Sequence, residues 1–292
     1  MKKLLFYTCL FSLLFVVGCG KETVDPEGPE IPEEPGNGYA ITFIFAGAAG
    51  ENASYASLSA ENELLTLDIY QFDTKNGQMT LERILKEVSL QTSGEDKQTT
   101  LIFNEESATK TFYFIGNGGT ILSLENVVAG VTTLNEFKEL ITNQQATHLP
   151  RPLLQTAFAE DVEIGVTHSE TMTLSRRVGR FDVQNDSTQS GYVIEKIIVQ
   201  NIRTATHLFG NAITTFTPQL GDLPDLSFKE FENANIGLSE GVFYLYPSMN
   251  RGETQLAFLV RKVGENNTSL YQLNTSSLKI EVNERHTLTI TQ

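Results

Sequence analysis

"LLTLDIYQFDTKNGQMTL", residues 64–81, decides the fold class. Leu65, Leu67 and Ile69 alternate with Thr66 and Asp68, the period-two pattern of a strand with one buried face. Asp73-Thr74-Lys75-Asn76-Gly77 then supplies turn residues, and Met79 opens another apolar stretch. The same grammar runs outward in both directions. Upstream, Tyr39, Ile41, Phe43 and Phe45 alternate with Ala40 and Thr42; downstream come "TTLIFNE" (99–105) and "KTFYFIGNGG" (110–119). Short strands separated by turns, with no long helical pattern, predict an all-β protein of antiparallel sandwiches.

One short helix is expected. Thr133 and Glu136 have the spacing of a capping box, and Leu134, Phe137, Leu140 and Ile141 share a helical face, so the helix should lie as a lid on the first sandwich. The apolar pattern lapses at Thr167–Glu170 and resumes in "TMTLSRRVGRFDVQ" (171–184), where Met172, Leu174 and Val178 are even but Phe181 and Val183 odd. A bend or bulge at Gly179 reconciles the registers. The boundary is placed near residue 170, giving domains 39–170 and 171–292. Further strands are expected at 192–202, 242–246, 254–263, 278–282 and 287–291, with an irregular loop over about 208–240.

The N-terminal region sets the location. Lys2 and Lys3 precede an apolar run from Leu4 to Val17, too short for a permanent membrane span but suited to a signal peptide over residues 1–18. Val16-Val17-Gly18-Cys19 resembles the lipobox of bacterial lipoproteins, which implies cleavage between Gly18 and Cys19 and acylation of Cys19. Each buried CH₂ of an acyl chain adds about 0.8 kcal/mol, so several chains hold firmly. Residues 19–38 carry six acids and four of the nine prolines. Such a segment has little to bury and reads as a disordered tether, spanning about 60 Å at roughly 3.1 Å per residue. Lys21-Glu22 resembles a short export signal that sends some Bacteroidetes lipoproteins to the outer face.

With Cys9 lost alongside the signal, the lone remaining cysteine is lipidated, leaving no disulfide, Cys–metal site or thiol nucleophile. Removing Lys2 and Lys3 takes the formal charge from −15 to −17, which opposes binding to nucleic acid. His148, His168, His207 and His286 have no metal-ligand spacing and read as surface or turn residues. "GNGGT" (116–120) lacks a following basic residue or helix start to cradle phosphate, so it reads as a strand-end turn. No catalytic motif, metal site or cofactor is expected. Arg176, Arg177 and Arg180 cluster in a chain with nine arginines; they read either as interdomain salt bridges or as an anion site.

A lipobox, the acidic tether, "ITFIFAG" (41–47), "LDIYQFDTKNG" (67–77), "TFYFIGNGG" (111–119), "LSRRVGRFDV" (174–183) and "NERHTLTITQ" (283–292) together resemble the fimbrillin superfamily of Bacteroidetes, the subunits of type V pili. The resemblance implies two transthyretin-like β-sandwich domains in tandem. It also implies assembly by strand exchange: a trypsin-like cut after the first strand opens a groove, which a strand from another subunit fills. Two departures stand out. Between Cys19 and Arg83 the basic residues are Lys21 and Lys75, so no cut releases the first strand alone, and the sequence stops directly after its final strand at Gln292. Both resemble the anchoring or accessory subunits that fix the pilus base to the outer membrane. The partners expected are that membrane, through Cys19, and other fimbrial subunits. The alternatives are a stalk or tip pilin processed elsewhere, or a glycan-binding surface lipoprotein.

Overall fold

The computed structural model describes residues 38–47, 61–105, 107–143, 149, 151–185, 192–209, 220–221, 226–227 and 240–290. The signal peptide, Cys19, the tether up to residue 37, His148 and most of the 208–240 loop lie outside the described residues.

Two sheets face each other in the first half. One orders β4 (Gln91–Ser93), β5 (Asp96–Phe103), β1 (Tyr39–Phe45) and β8 (His168–Met172). The other orders β3 (Gln78–Leu85), β2 (Leu67–Lys75), β6 (Ala108–Gly116), β7 (Gln155–Ile164) and β9 (Ser175–Arg176). The quoted stretch is the β2–β3 hairpin. Asn76 (φ 53°) and Gly77 (φ 79°) both take positive φ, the requirement of the tight turn that matches strand twist. Leu67 and Ile69 join Phe43, Phe112 and Phe114 between the sheets, while Tyr70, Phe72 and Tyr113 on the opposite face lie under the helix. Both faces of this sheet are covered, which is why "TFYFIG" runs without polar alternation.

The helix α1 (Leu134–Lys138) forms where expected. The Thr133 hydroxyl accepts from the Glu136 amide at 3.3 Å, and the Glu136 carboxylate accepts from the Thr133 amide at 2.8 Å. Those hydrogen bonds favour the carboxylate form and lower the Glu136 pKa. Phe137 is fully buried, its ring centroid 4.7 Å from Tyr70 and 5.1 Å from Phe72. Thr133→Ala should cost about 1 kcal/mol, read as a lower urea midpoint with an unchanged slope.

The second half repeats the plan. One sheet orders β15 (Glu240–Leu245), β10 (Gly179–Asn185) and β18 (Arg285–Ile290). The other orders β14 (Leu226–Ser227), β11 (Tyr192–Gln200), β16 (Gln255–Lys262) and β17 (Thr268–Gln272). A small ladder joins β12 (Ile202–Arg203) to β13 (Leu220–Gly221). Strand for strand, β5-β1-β8 corresponds to β15-β10-β18, and β3-β2-β6-β7 to β14-β11-β16-β17. In each half the first strand lies between an antiparallel neighbour and a late strand of that half, which runs parallel to it.

Some expectations change. Residues 168–170, read as a lapse, belong to β8, so residue 170 falls inside a strand paired with β1. The bend comes at Arg177–Val178, and Gly179 opens β10 where a Cβ would stand 2.5 Å from Ile280. Residues 278–282 are irregular: Leu278 and Ile280 alternate because they plug the side of the second core. A strand that the sequence did not announce, β17, precedes this stretch, and all its residues are exposed.

Candidate subunit interface

β1 is the element on which strand exchange would act. It pairs antiparallel with β5 through seven residues, Tyr39 opposite Phe103 to Phe45 opposite Lys97, and parallel with β8 from Ile41–His168 to Phe45–Met172. Its inward residues Ile41, Phe43 and Phe45 are fully buried. Phe43 stands 5.0 Å from both Phe112 and Phe114, and Phe45 5.3 Å from Phe114, in tilted and edge-on contacts. Removing β1 would expose that aromatic floor and leave the backbone edges of β5 and β8 unpaired.

The segment after β1 is tied to the second half. Glu61, fully buried, receives Arg176 at 3.2 Å, Arg180 at 2.8 Å and the Tyr244 hydroxyl. Arg180 also reaches Asp182 at 2.5 Å, Arg285 of β18 donates to Asp182, and Arg176 Nε donates to Asn283 at 2.8 Å. Burial opposes the Arg180 charge, but the hydrogen bond to Asp182 and the charges of Glu61 and Asp182 outweigh it and raise its pKa. Burial, with Glu61 beside it, pushes the Tyr244 hydroxyl far up. Of the two readings of the arginine cluster, the salt-bridge one holds for Arg176 and Arg180. Arg177 Nε donates to the His207 carbonyl at 3.1 Å, and burial lowers its pKa to about 10.

"GNGGT" is a strand-end turn, and Asn117 organises it. Its carboxamide accepts from the Leu65 and Thr66 amides at 2.9 and 3.3 Å, and donates to the Glu63 and Leu153 carbonyls at 2.7 and 3.0 Å. Among the described residues the histidines do not come together. His168 bonds the Val166 carbonyl and Glu170, whereas His207 is not a surface residue: it is 5% exposed, with neither ring nitrogen hydrogen-bonded among the described residues. Among the described residues no group of three His, Cys, Asp or Glu is placed to hold a metal ion, and no helix is long and apolar enough to cross a membrane.

His286 of β18 stacks on Phe181, centroids 4.8 Å apart. Burial lowers its pKa, opposed by the charges of Glu284 and Glu281. The folded state therefore prefers neutral imidazole, and this contribution is present above the unfolded value near 6.5 and lost as pH falls below it. Urea midpoints should drop between pH 7 and pH 5 by more in the parent than in His286→Gln.

No family model matches the chain, and no curated protein matches its sequence. Solved structures do share its fold. A fimbrial assembly protein from Parabacteroides distasonis aligns at a TM-score of 0.53 and 12% identity, over 86% of this chain and 90% of that one. The tip fimbrial protein Mfa3 from Porphyromonas gingivalis aligns at 0.51 and 11%, over 81% of each. Both are described by a fimbrial role, neither by an enzymatic one. The fimbrial anchor protein Mfa2 from the same organism reaches only 0.38, too loose a likeness to bear on role. The fold is thus that of Bacteroidetes fimbrial proteins: paired β-sandwiches with one short helix.

Proposed function

We propose that this chain is a subunit of a surface fimbrium that keeps its lipid, cleaved between Gly18 and Cys19, acylated on Cys19 and held at the outer face of the outer membrane as an anchoring or accessory subunit. Its two sandwiches are two domains, with the seam at Arg177–Val178, where pairing passes from β9 to β10. The observation that supports retention is the setting of β1. The strand is locked on both edges, and residues 46–66 offer a trypsin-like protease no lysine or arginine. Lys75 ends β2, so cutting there would strip two strands from two different sheets.

Mass spectrometry of protein sheared from cells tests this directly. A diacylated peptide beginning at Cys19 is expected, and an N-terminus near residue 76 would overturn the reading. Deleting the gene should leave long or shed filaments under the electron microscope. Complete loss of filaments would instead indicate a stalk subunit.

A further inference from the structure

The edge of a β-sheet offers unpaired N–H and C=O groups to any passing strand, and folded proteins blunt such edges by shortness, charge, bulges or a cover. Most sheet edges among the described residues are blunted in one of these ways. β4, β9, β13 and β14 have only two or three residues. The outer edge of β3 is bonded to the 130–132 segment: the Leu81 amide donates to the Thr132 carbonyl at 2.8 Å, and the Gly130 amide to the Leu81 carbonyl at 2.7 Å. β15 is buried from Val242 to Leu245. β8 carries Glu170 and β18 carries Arg285, charges that an added strand would have to accommodate.

β17 has none of these devices. Among the described residues it pairs with β16 alone, from Thr268 opposite Arg261 to Gln272 opposite Ala257, in unbroken register. It contains no proline and no charge, and the uncharged run extends from Asn266 to Leu278. Leu270 is 61% exposed, and Val263, just before the turn into β17, is 62% exposed. Leu270 stands opposite Leu259, so the two leucines share one face of the sheet. The whole chain has a formal charge of −15, so two copies repel each other over most of their surface. The uncharged edge is where they can meet at least electrostatic cost.

We propose that β17 pairs with β17 of a second copy of this chain, antiparallel across a two-fold axis at Leu270. A strand set antiparallel to itself is self-complementary, which is what a closed two-fold dimer requires. With the axis on Leu270 all of β17 pairs: Leu270 faces Leu270 of the second copy, Ser269 faces Tyr271, and Thr268 faces Gln272. No charged side chain enters the new ladder. Two four-stranded sheets become one continuous sheet, and Leu259 and Leu270 of both copies form an apolar stripe across the joint. β1 lies in a different sheet, so its ladders are not used. The dimer rests on β17 and not on the fimbrial reading, and stands or falls separately from it.

Sedimentation equilibrium on the full chain tests it. The parent should pass from monomer to dimer as its concentration rises. Association should strengthen as salt rises from about 0.01 to about 0.15 M, because the Debye length shrinks from about 30 to about 8 Å and screens the repulsion between copies. Leu270→Lys sets two like charges opposite each other and should weaken the dimer about tenfold or more. Val128→Lys, at an apolar residue 47% exposed in the first half, should leave it unchanged. Both positions are exposed, and melting curves confirm that both variants fold. A parent that stays monomeric up to about 1 mM overturns the proposal. So does undiminished association of Leu270→Lys, an equal loss in Val128→Lys, or a dimer that weakens as salt is added.

Discussion

Glu61→Ala should lower stability by about 3–5 kcal/mol, the largest loss expected from a single charged residue in this chain. The carboxylate is fully buried and serves three partners. Removing it takes away the ionic partner of Arg176 and the acceptor of the Tyr244 hydroxyl, whereas Arg180 keeps Asp182. Tyr244→Phe deletes one hydrogen bond to that carboxylate and leaves the charges paired, so its cost should be about 1.5–3 kcal/mol. Lys262→Ala breaks a 3.3 Å pair whose members are both more than half exposed, and should change stability little. Urea denaturation of the three variants ranks them. A Glu61→Ala loss below about 1 kcal/mol would mean that the network is not what ties the halves together.

Phe43→Ala is the second. A fully buried phenylalanine at the centre of β1, against Phe112 and Phe114, should cost about 3–5 kcal/mol through lost transfer energy and the cavity left behind. Thr42, one residue earlier, points the other way and shares a 2.9 Å hydroxyl contact with Thr100, so Thr42→Ala should cost about 1 kcal/mol or less. The contrast separates loss of the inward face of β1 from loss of its backbone ladders, which both variants retain. Equal effects would show that β1 is held by its backbone alone.

The sequence made strands legible where one face was apolar and the other wet. β1, β5 and β16 announce themselves in this way, and β6 shows instead as an unbroken apolar run. β8, "HSETM", does not, because its backbone pairs with β1 while only Met172 enters the core. β17 fails for the same reason, with every side chain exposed. Lys110 sits inside an otherwise apolar strand at 1% exposure, and three carboxylates, on Glu82, Glu105 and Asp73, compensate its charge. Nothing local marks them. The arginine cluster signalled that acids must be near, but Glu61, its partner, lies 115 residues from Arg176 in the chain.

The correspondence between the halves has an asymmetric result. β1 and β10 occupy equivalent berths, each flanked by one antiparallel and one parallel neighbour. Yet β10 carries Asp182 inward to Arg180 and Arg285, and only Arg177 and Val178 separate it from β9. Pulling it out would unpair ions and drag on a neighbouring sheet. β1 brings no charge into its berth, only hydrocarbon and rings that any alternating apolar strand could imitate. A duplicated scaffold thus contains one permanent occupant and one that is replaceable in principle, and the difference comes down to a single aspartate and a two-residue joint.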